Sequence, residues 1–282
     1  RIAGNYGVPV TLRTGIEGAL VLQPLTEFGT AEQIEKGLEL IFNGEGGGLA
    51  ITEPETSGSA IAREMESYYE YVDENTIHLN AKKYWQGNSQ SDFLLVAAKE
   101  RKDGKLSKTI SLVFVPKKYI TYDVLKSEGL KAVRYAINKI DANIPSNNVM
   151  QLSESKVNSL REFQNIFIRS RLQLIGMTHG IMEYIIKNIK KYARQEIKYV
   201  EYELKEIEKQ YGISKIMYDY VCDNVSPDKT VSNKLMEANI IKSLATEYTY
   251  KSAQIAQKLL GAKGFEMGHP MSNIAIDFRP FT

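Results

Sequence analysis

The chain has 282 residues, 43% of them hydrophobic and 25% charged, an ordinary globular composition that allows one large or two smaller domains with a sizeable core. Its 36 basic and 34 acidic residues leave a net charge of +2, so no electrostatic footprint for nucleic acid stands out. The one cysteine, Cys222, excludes an intramolecular disulfide and fits a reducing, cytoplasmic setting. No apolar run approaches the ~20 residues needed to cross a bilayer, and the opening residues do not read as a signal peptide. The chain starts at Arg1 rather than at methionine and reads as an interior stretch of a longer protein.

Residues 1–46 read as helical with glycine breaks. The clearest element is Ala31–Asn43, where Thr30 as N-cap and Gln33 three positions on make a capping box. Ile34, Leu38 and Ile41 supply its apolar stripe, and Gly44 and Gly46 to Gly48 end it. From Gly47 to about Met150 the pattern changes to period two with β-branched and aromatic residues. Tyr69–Val72 and Thr76–Leu79 flank Asp73, Glu74 and Asn75 as a hairpin. Asp92–Ala98, Thr109–Val115 and Tyr135–Ile144 read as further strands, two of them closed by Pro116 and Pro145, which cannot donate to a ladder. This part predicts a compact β-domain, a small barrel or sandwich.

From Ser155 to Leu260 the apolar spacing is helical. Phe163, Ile166, Leu174, Met177, Ile181, Ile185 and Ile189 mark one long helix. A second runs from about Val200 to Val221 and a third from Val231 to Leu260, with a loop around Pro227. Three long helices with short connections predict a bundle. No internal repeat or low-complexity tract interrupts the chain.

Five segments in order resemble the acyl-CoA dehydrogenase family across residues 28–282. They are Phe28-Gly29-Thr30 entering the capped helix; Leu49 to Pro54, with Thr52-Glu53-Pro54, then Gly58-Ser59; and Lys83-Tyr84-Trp85-Gln86-Gly87-Asn88, then Asp92. Arg171 to Gly180, closing on Tyr192-Ala193-Arg194, and Leu260 to Phe265 with His269-Pro270 and Asp277, complete the set. The resemblance implies an α+β chain with partial N-terminal helices (1–46), a middle β-barrel or sandwich domain (47–154) and a C-terminal antiparallel helical bundle (155–282).

It also implies a flavoprotein oxidoreductase of fatty acid metabolism that holds FAD between β-domain and bundle. Such enzymes remove two hydrogens across Cα–Cβ of an acyl thioester: a carboxylate takes the α-proton and the flavin N5 the β-hydride. The protein orients both and hydrogen-bonds the thioester carbonyl, while the redox chemistry belongs to the cofactor. By the same resemblance Thr52 lies beside the isoalloxazine, Trp85 stacks on it, and Ser59 meets a flavin phosphate, one residue later than the usual spacing. Gly87 replaces the usual threonine, so a hydroxyl contact is lost or moved to Asn88. Arg194 matches an arginine that reaches a neighbouring subunit's FAD pyrophosphate, a task suited to a guanidinium; the other reading is a solvated helix-end arginine among Lys187, Lys190 and Lys191. Gly261 and Gly264 would also approach the dinucleotide, with Ala262 where a glycine is common and Lys258, not Gln257, aligned with the family's glutamine.

No catalytic base is identified. In most relatives the glutamate lies just past the segment matching Asp277, here beyond Thr282; in a minority it precedes the arginine matching Arg171, where this chain has Ser170. Glu183 reads as an exposed or inter-helix carboxylate, His179 as a packed histidine, and neither His78 nor His269 has metal-ligand spacing. The expected partners are an acyl-CoA or acyl carrier protein thioester, an electron-transferring flavoprotein and a second copy of the chain, as a homodimer or homotetramer. Two other readings stay open: a flavin oxidase or monooxygenase, because Trp85-Gln86-Gly87 departs from the usual dehydrogenase wording, and a non-catalytic relative.

Overall fold

The computed structural model describes residues 7–44, 46–56, 60–225 and 232–281. The chain opens with a helical run: α1 (Val8–Gly15), a π-helical stretch (Ile16–Leu22) and α2 (Gln23–Phe28). Helix α3 (Ala31–Asn43) follows with the capping box complete, since Thr30 accepts the Gln33 N–H at 3.3 Å and Gln33 accepts the Thr30 N–H at 2.9 Å. Two compact units then organise the chain.

The first unit comprises Arg13–Lys126 and Val133–Phe167. It carries β1 (Gly47–Ala50), a one-turn α4 (Ile61–Glu64), β2 (Tyr68–Asp73), β3 (Thr76–Gln86), β4 (Phe93–Lys102), β5 (Lys105–Leu106), β6 (Ser111–Pro116), β7 (Thr121–Val124), β8 (Ala136–Pro145) and β9 (Val149–Gln151). Strands run in the order β7-β8-β3-β2-β4-β6-β9, with β1 and β5 added to β4. β4 joins the two halves of the sheet, pairing with β1 and β6 along Phe93–Val96 and with β2 at Lys99 and Glu100. Leu79 and Ala81 of β3, Leu94 and Val96 of β4, Val113 and Val115 of β6 and Ile140 of β8 close on one buried core. A sheet whose halves share an interior is the barrel or sandwich that the period-two pattern predicts.

The second unit comprises Arg1–Leu12, Ser127–Ala132 and Ile168–Thr282. Its helices are the later part of α5 (Lys156–Tyr192), α6 (Lys198–Asn224), α7 (Leu235–Leu259) and α8 (Pro270–Phe278). Side-chain pairs fix an antiparallel course: His179 stacks on Tyr211 and Tyr218 while Lys190 meets Glu208, and Gln210 bonds Ser252 while Glu203 meets Lys258. The buried face of α7 is built from Ala238, Ala245, Thr249, Ser252, Ala253 and Ala256, small residues that let a neighbouring helix come close. The hydroxyl of Thr249 donates back to the Ala245 carbonyl at 2.7 Å, so it enters the core satisfied. Helix α8 is absent from the sequence reading; its N-cap is His269, whose Nδ1 accepts the Met271 N–H at 3.3 Å.

Candidate functional site

The two motif segments of the β-rich unit meet. Thr52 follows β1, and its carbonyl accepts the Tyr84 N–H at 2.8 Å and the Gln86 Nε2 at 3.4 Å. Inward residues of β3 alternate as Ile77, Leu79, Ala81 and Lys83, so unbroken alternation would bury Trp85 next. It does not, because the pairing with β8 slips: Lys83 faces Asn138 and Gln86 faces Ala136, leaving Tyr84 and Trp85 opposite Ile137 alone. This bulge inverts the phase, burying Gln86 and turning Trp85 outward at 53% exposure. Trp85 adopts φ +53, a left-handed conformation rare for a bulky residue, and its ring rests edge-on against Tyr135, 5.8 Å between centroids. Thr52 is exposed as well. Thr52 and Trp85 are thus both exposed on backbone segments that the Tyr84 N–H bond holds together.

Within these segments, Lys83 is fully buried and bonds the Glu53 carboxylate at 2.7 Å and the Ile51 carbonyl at 3.1 Å. Glu53 also accepts the N–H groups of Glu66 at 2.7 Å and Ser67 at 3.0 Å. Burial alone would raise the Glu53 carboxyl; the Lys83 ammonium and these bonds outweigh it and hold the group below its usual value. Burial pushes Lys83 down to about 8, with the Glu53 charge resisting the fall. The sequence reading passed over this pair. Its signal was an inward-facing lysine on an alternating strand, which requires a buried acid.

Asn88 is placed differently from Thr52 and Trp85. It is buried with φ +57; its N–H donates to the Val133 carbonyl at 2.8 Å and its Nδ2 to the Gly47 carbonyl at 3.2 Å. It supports the turn from within. A Cβ at Gly87 would come within 2.6 Å of Ile16 Cδ1 and 3.0 Å of Val133 Cγ1, so apolar side chains already fill the space a threonine would take there. Gly58 and Ser59 lie outside the described residues. Beside the ion pair, a cavity of about 410 Å³ opens between the Glu53–Thr56 loop, Ser67 at the entry to β2, and Asn80 of β3. Its lining carboxylates Glu55 and Glu66 outnumber Lys82, which disfavours an anionic ligand.

In the helical unit Arg194 is exposed and paired with Glu196 at 2.9 Å. Gly261 has φ +56 and starts the turn that follows α7. Lys263 of that turn sits over Tyr192, 5.4 Å from the ring centroid, so the stretch that ends in Arg194 and the glycine turn lie side by side. Gly264 admits no side chain, because its Cβ would lie 2.2 Å from the Gln257 carbonyl oxygen. Gln257 Nε2 donates to the Gly264 carbonyl at 3.0 Å, while Lys258 points outward to Glu203. Asp277 is buried and accepts the Leu130 N–H at 2.5 Å; burial raises its carboxyl, and that bond opposes the rise. Among the described residues no group of His, Cys, Asp and Glu could hold a metal ion, and no helix is long and apolar enough to cross a membrane.

No family model matches the sequence, and no curated protein matches it. Solved structures do. An acyl-CoA dehydrogenase from Geobacillus kaustophilus superposes with a TM-score of 0.84 at 21% identity, over 98% of this chain and 74% of that one. The prolyl acyl carrier protein oxidase AnaB gives 0.83 at 20% identity, over 99% and 74%. An acyl-CoA dehydrogenase from Bacillus anthracis, solved in complex with FAD, gives 0.81 at 20% identity, over 98% and 51%. A β-rich unit, an antiparallel helical unit and these superpositions lead to one conclusion. The chain has the fold of the acyl-CoA dehydrogenases.

Proposed function

We propose that this chain holds FAD and serves an oxidoreductase that desaturates an acyl thioester at Cα–Cβ. The observation that carries the reading is Trp85, the one tryptophan, turned outward by a bulge in a costly backbone conformation beside Thr52. Strain of this kind persists where the surrounding structure over-determines it, and it clusters at ligand sites. A flat ring system laid on Trp85, with its edge at the Thr52 hydroxyl and backbone, fits these two exposed residues. When bound, FAD supplies the hydride acceptor. Thr52 and Trp85 orient it, and Glu53 with Lys83 fixes the two segments that carry them. Glu53 is committed to Lys83 and is not the base. Arg194 would reach a dinucleotide phosphate of a neighbouring copy only by leaving Glu196, an exposed pair that holds it weakly.

An oxidase is the second reading, favoured by Gly87 and by the filled space around it, which leaves no hydroxyl at that position. The test uses the protein with whatever sequence its gene places on either side. Mixed without oxygen, a series of acyl-CoA and acyl carrier protein thioesters should bleach the flavin absorbance, one class faster than the other. A slow return of colour on admitting oxygen marks a dehydrogenase and a fast one an oxidase. Flavin that no thioester bleaches would end the thioester reading.

A further inference from the structure

We infer that Gln86 is the positioning residue that locks the β3 bulge and so aims Trp85. The inference deepens the flavin reading, but its geometry stands without the flavin. Four observations meet at this side chain. It is the first residue after the bulge and is buried at 3% exposure. Its Nε2 donates to the Tyr84 carbonyl, inside the bulge, and to the Thr52 carbonyl at 3.4 Å, on the facing segment. The Thr52 carbonyl also takes the Tyr84 N–H at 2.8 Å, so both of its lone pairs are engaged by the bulge. Finally, the Gln86 carbonyl accepts the Ser89 hydroxyl, which in turn accepts the Ala136 N–H at 3.0 Å, tying the far side of the bulge to β8.

The chemistry of the carboxamide explains why this residue type is present. Both groups around its nitrogen are carbonyl oxygens, so the position calls for two donors on one atom. A methyl group or a carboxylate of the same size offers none. The carboxamide oxygen is buried without a partner among the described residues, a cost the two donated bonds offset. Trp85 at φ +53 holds a conformation that a bulky residue rarely adopts; without these bonds the Tyr84–Trp85 stretch is free to sample other backbone conformations, and the exposed indole moves with it. With the two carbonyls clamped, Tyr84 and Trp85 cannot re-register against Ile137.

Trp85 is the sole tryptophan of these 282 residues, so with any tryptophan in the flanking sequence replaced by phenylalanine its fluorescence reports this one position without any bound flavin. Gln86→Met preserves size and removes both donors. The clamp predicts about a 2-fold gain in the amplitude of nanosecond local motion in the Trp85 anisotropy decay, with an unchanged circular dichroism spectrum. Stability is a poor readout, because Met also removes the unpaired oxygen. Gln86→Glu is the second variant and covers a Met variant that fails to fold. As a carboxylate it donates nothing; protonated, it donates one bond. Trp85 motion in Gln86→Glu should therefore fall toward the wild-type value as pH is lowered through roughly 7 to 5, while the wild type stays flat. Trp85 as rigid in both variants as in the wild type would overturn the clamp. A loosened Trp85 upholds it whatever FAD does; FAD affinity unchanged by that loosening would count against the Trp85 flavin reading instead.

Discussion

Lys83 and Glu53 form a buried pair with few ways to rearrange: the lysine is fully enclosed, and the carboxylate receives two backbone N–H groups besides the ammonium. Removing one partner strands the other charge, which costs about 3–5 kcal/mol, whereas replacing both with apolar or neutral side chains costs far less. Urea unfolding should accordingly rank Lys83→Met well below the wild type, with Glu53→Gln/Lys83→Met recovering most of the loss. An additive double variant would show that the two side chains do not act as a pair. The pH dependence has a definite sign. Glu53 sits below its usual 4.5, so its contribution is full above that value and fades as pH drops through the lower folded one. Lys83 falls from 10.5 to about 8, so the folded state sheds that proton first and this group's contribution rises with pH between those values. The difference between wild type and double variant isolates both effects. At this scale Thr52, Lys83 and Trp85 were legible as motif residues, but the inward pairing of Lys83 with Glu53 was not read from them. That Asn88 faces inward was not, because nothing in the sequence announces the Gly47 carbonyl across the turn.

Elements whose sequence carries its own boundary signals emerged as read. Helix α3 has Thr30 and Gln33 as a capping box and Gly44 as its stop, and the β2–β3 hairpin has its Asp-Glu-Asn turn. Elements held by partners did not. β1 starts with Gly47 and Gly48, read both as the end of the helix and as the opening of the β-rich stretch, and it is the pairing with Phe93 and Leu94 of β4 that makes them strand. The β3 bulge was illegible because it places tryptophan where glycine is the usual occupant. Helix α8 was missed because its cap is a histidine and its length is nine residues, and it is anchored through tertiary contacts. Asp277 of that helix holds the Leu130 N–H, while a Cβ at Gly129 would touch Asp277 Oδ1 at 2.9 Å. Asp277→Ala should therefore leave a buried N–H unsatisfied and cost about 1–3 kcal/mol, with faster hydrogen exchange confined to Ser127–Ala132. Unchanged exchange in that segment would remove Asp277 as its anchor.

For the whole molecule, a helix–β–helix change in periodicity was enough to suggest an α+β chain, and the order of five short motifs narrowed it to one fold. The two compact units were less visible. Ser127–Ala132 is embedded in a β-rich stretch of sequence yet belongs to the helical unit, since only the folded chain brings Asp277 to Leu130. Function rests on whether Thr52 and Trp85 receive the flavin ring, and one titration addresses it. FAD affinity is measured for the wild type, Trp85→Ala and Tyr84→Ala, each carrying its natural flanking sequence. Loss of one aromatic stacking partner should weaken FAD binding about 10-fold in Trp85→Ala, while Tyr84→Ala stays within about 2-fold of the wild type. Equal FAD affinity in the two variants, or a wild type that takes up no FAD at all, would contradict the assignment.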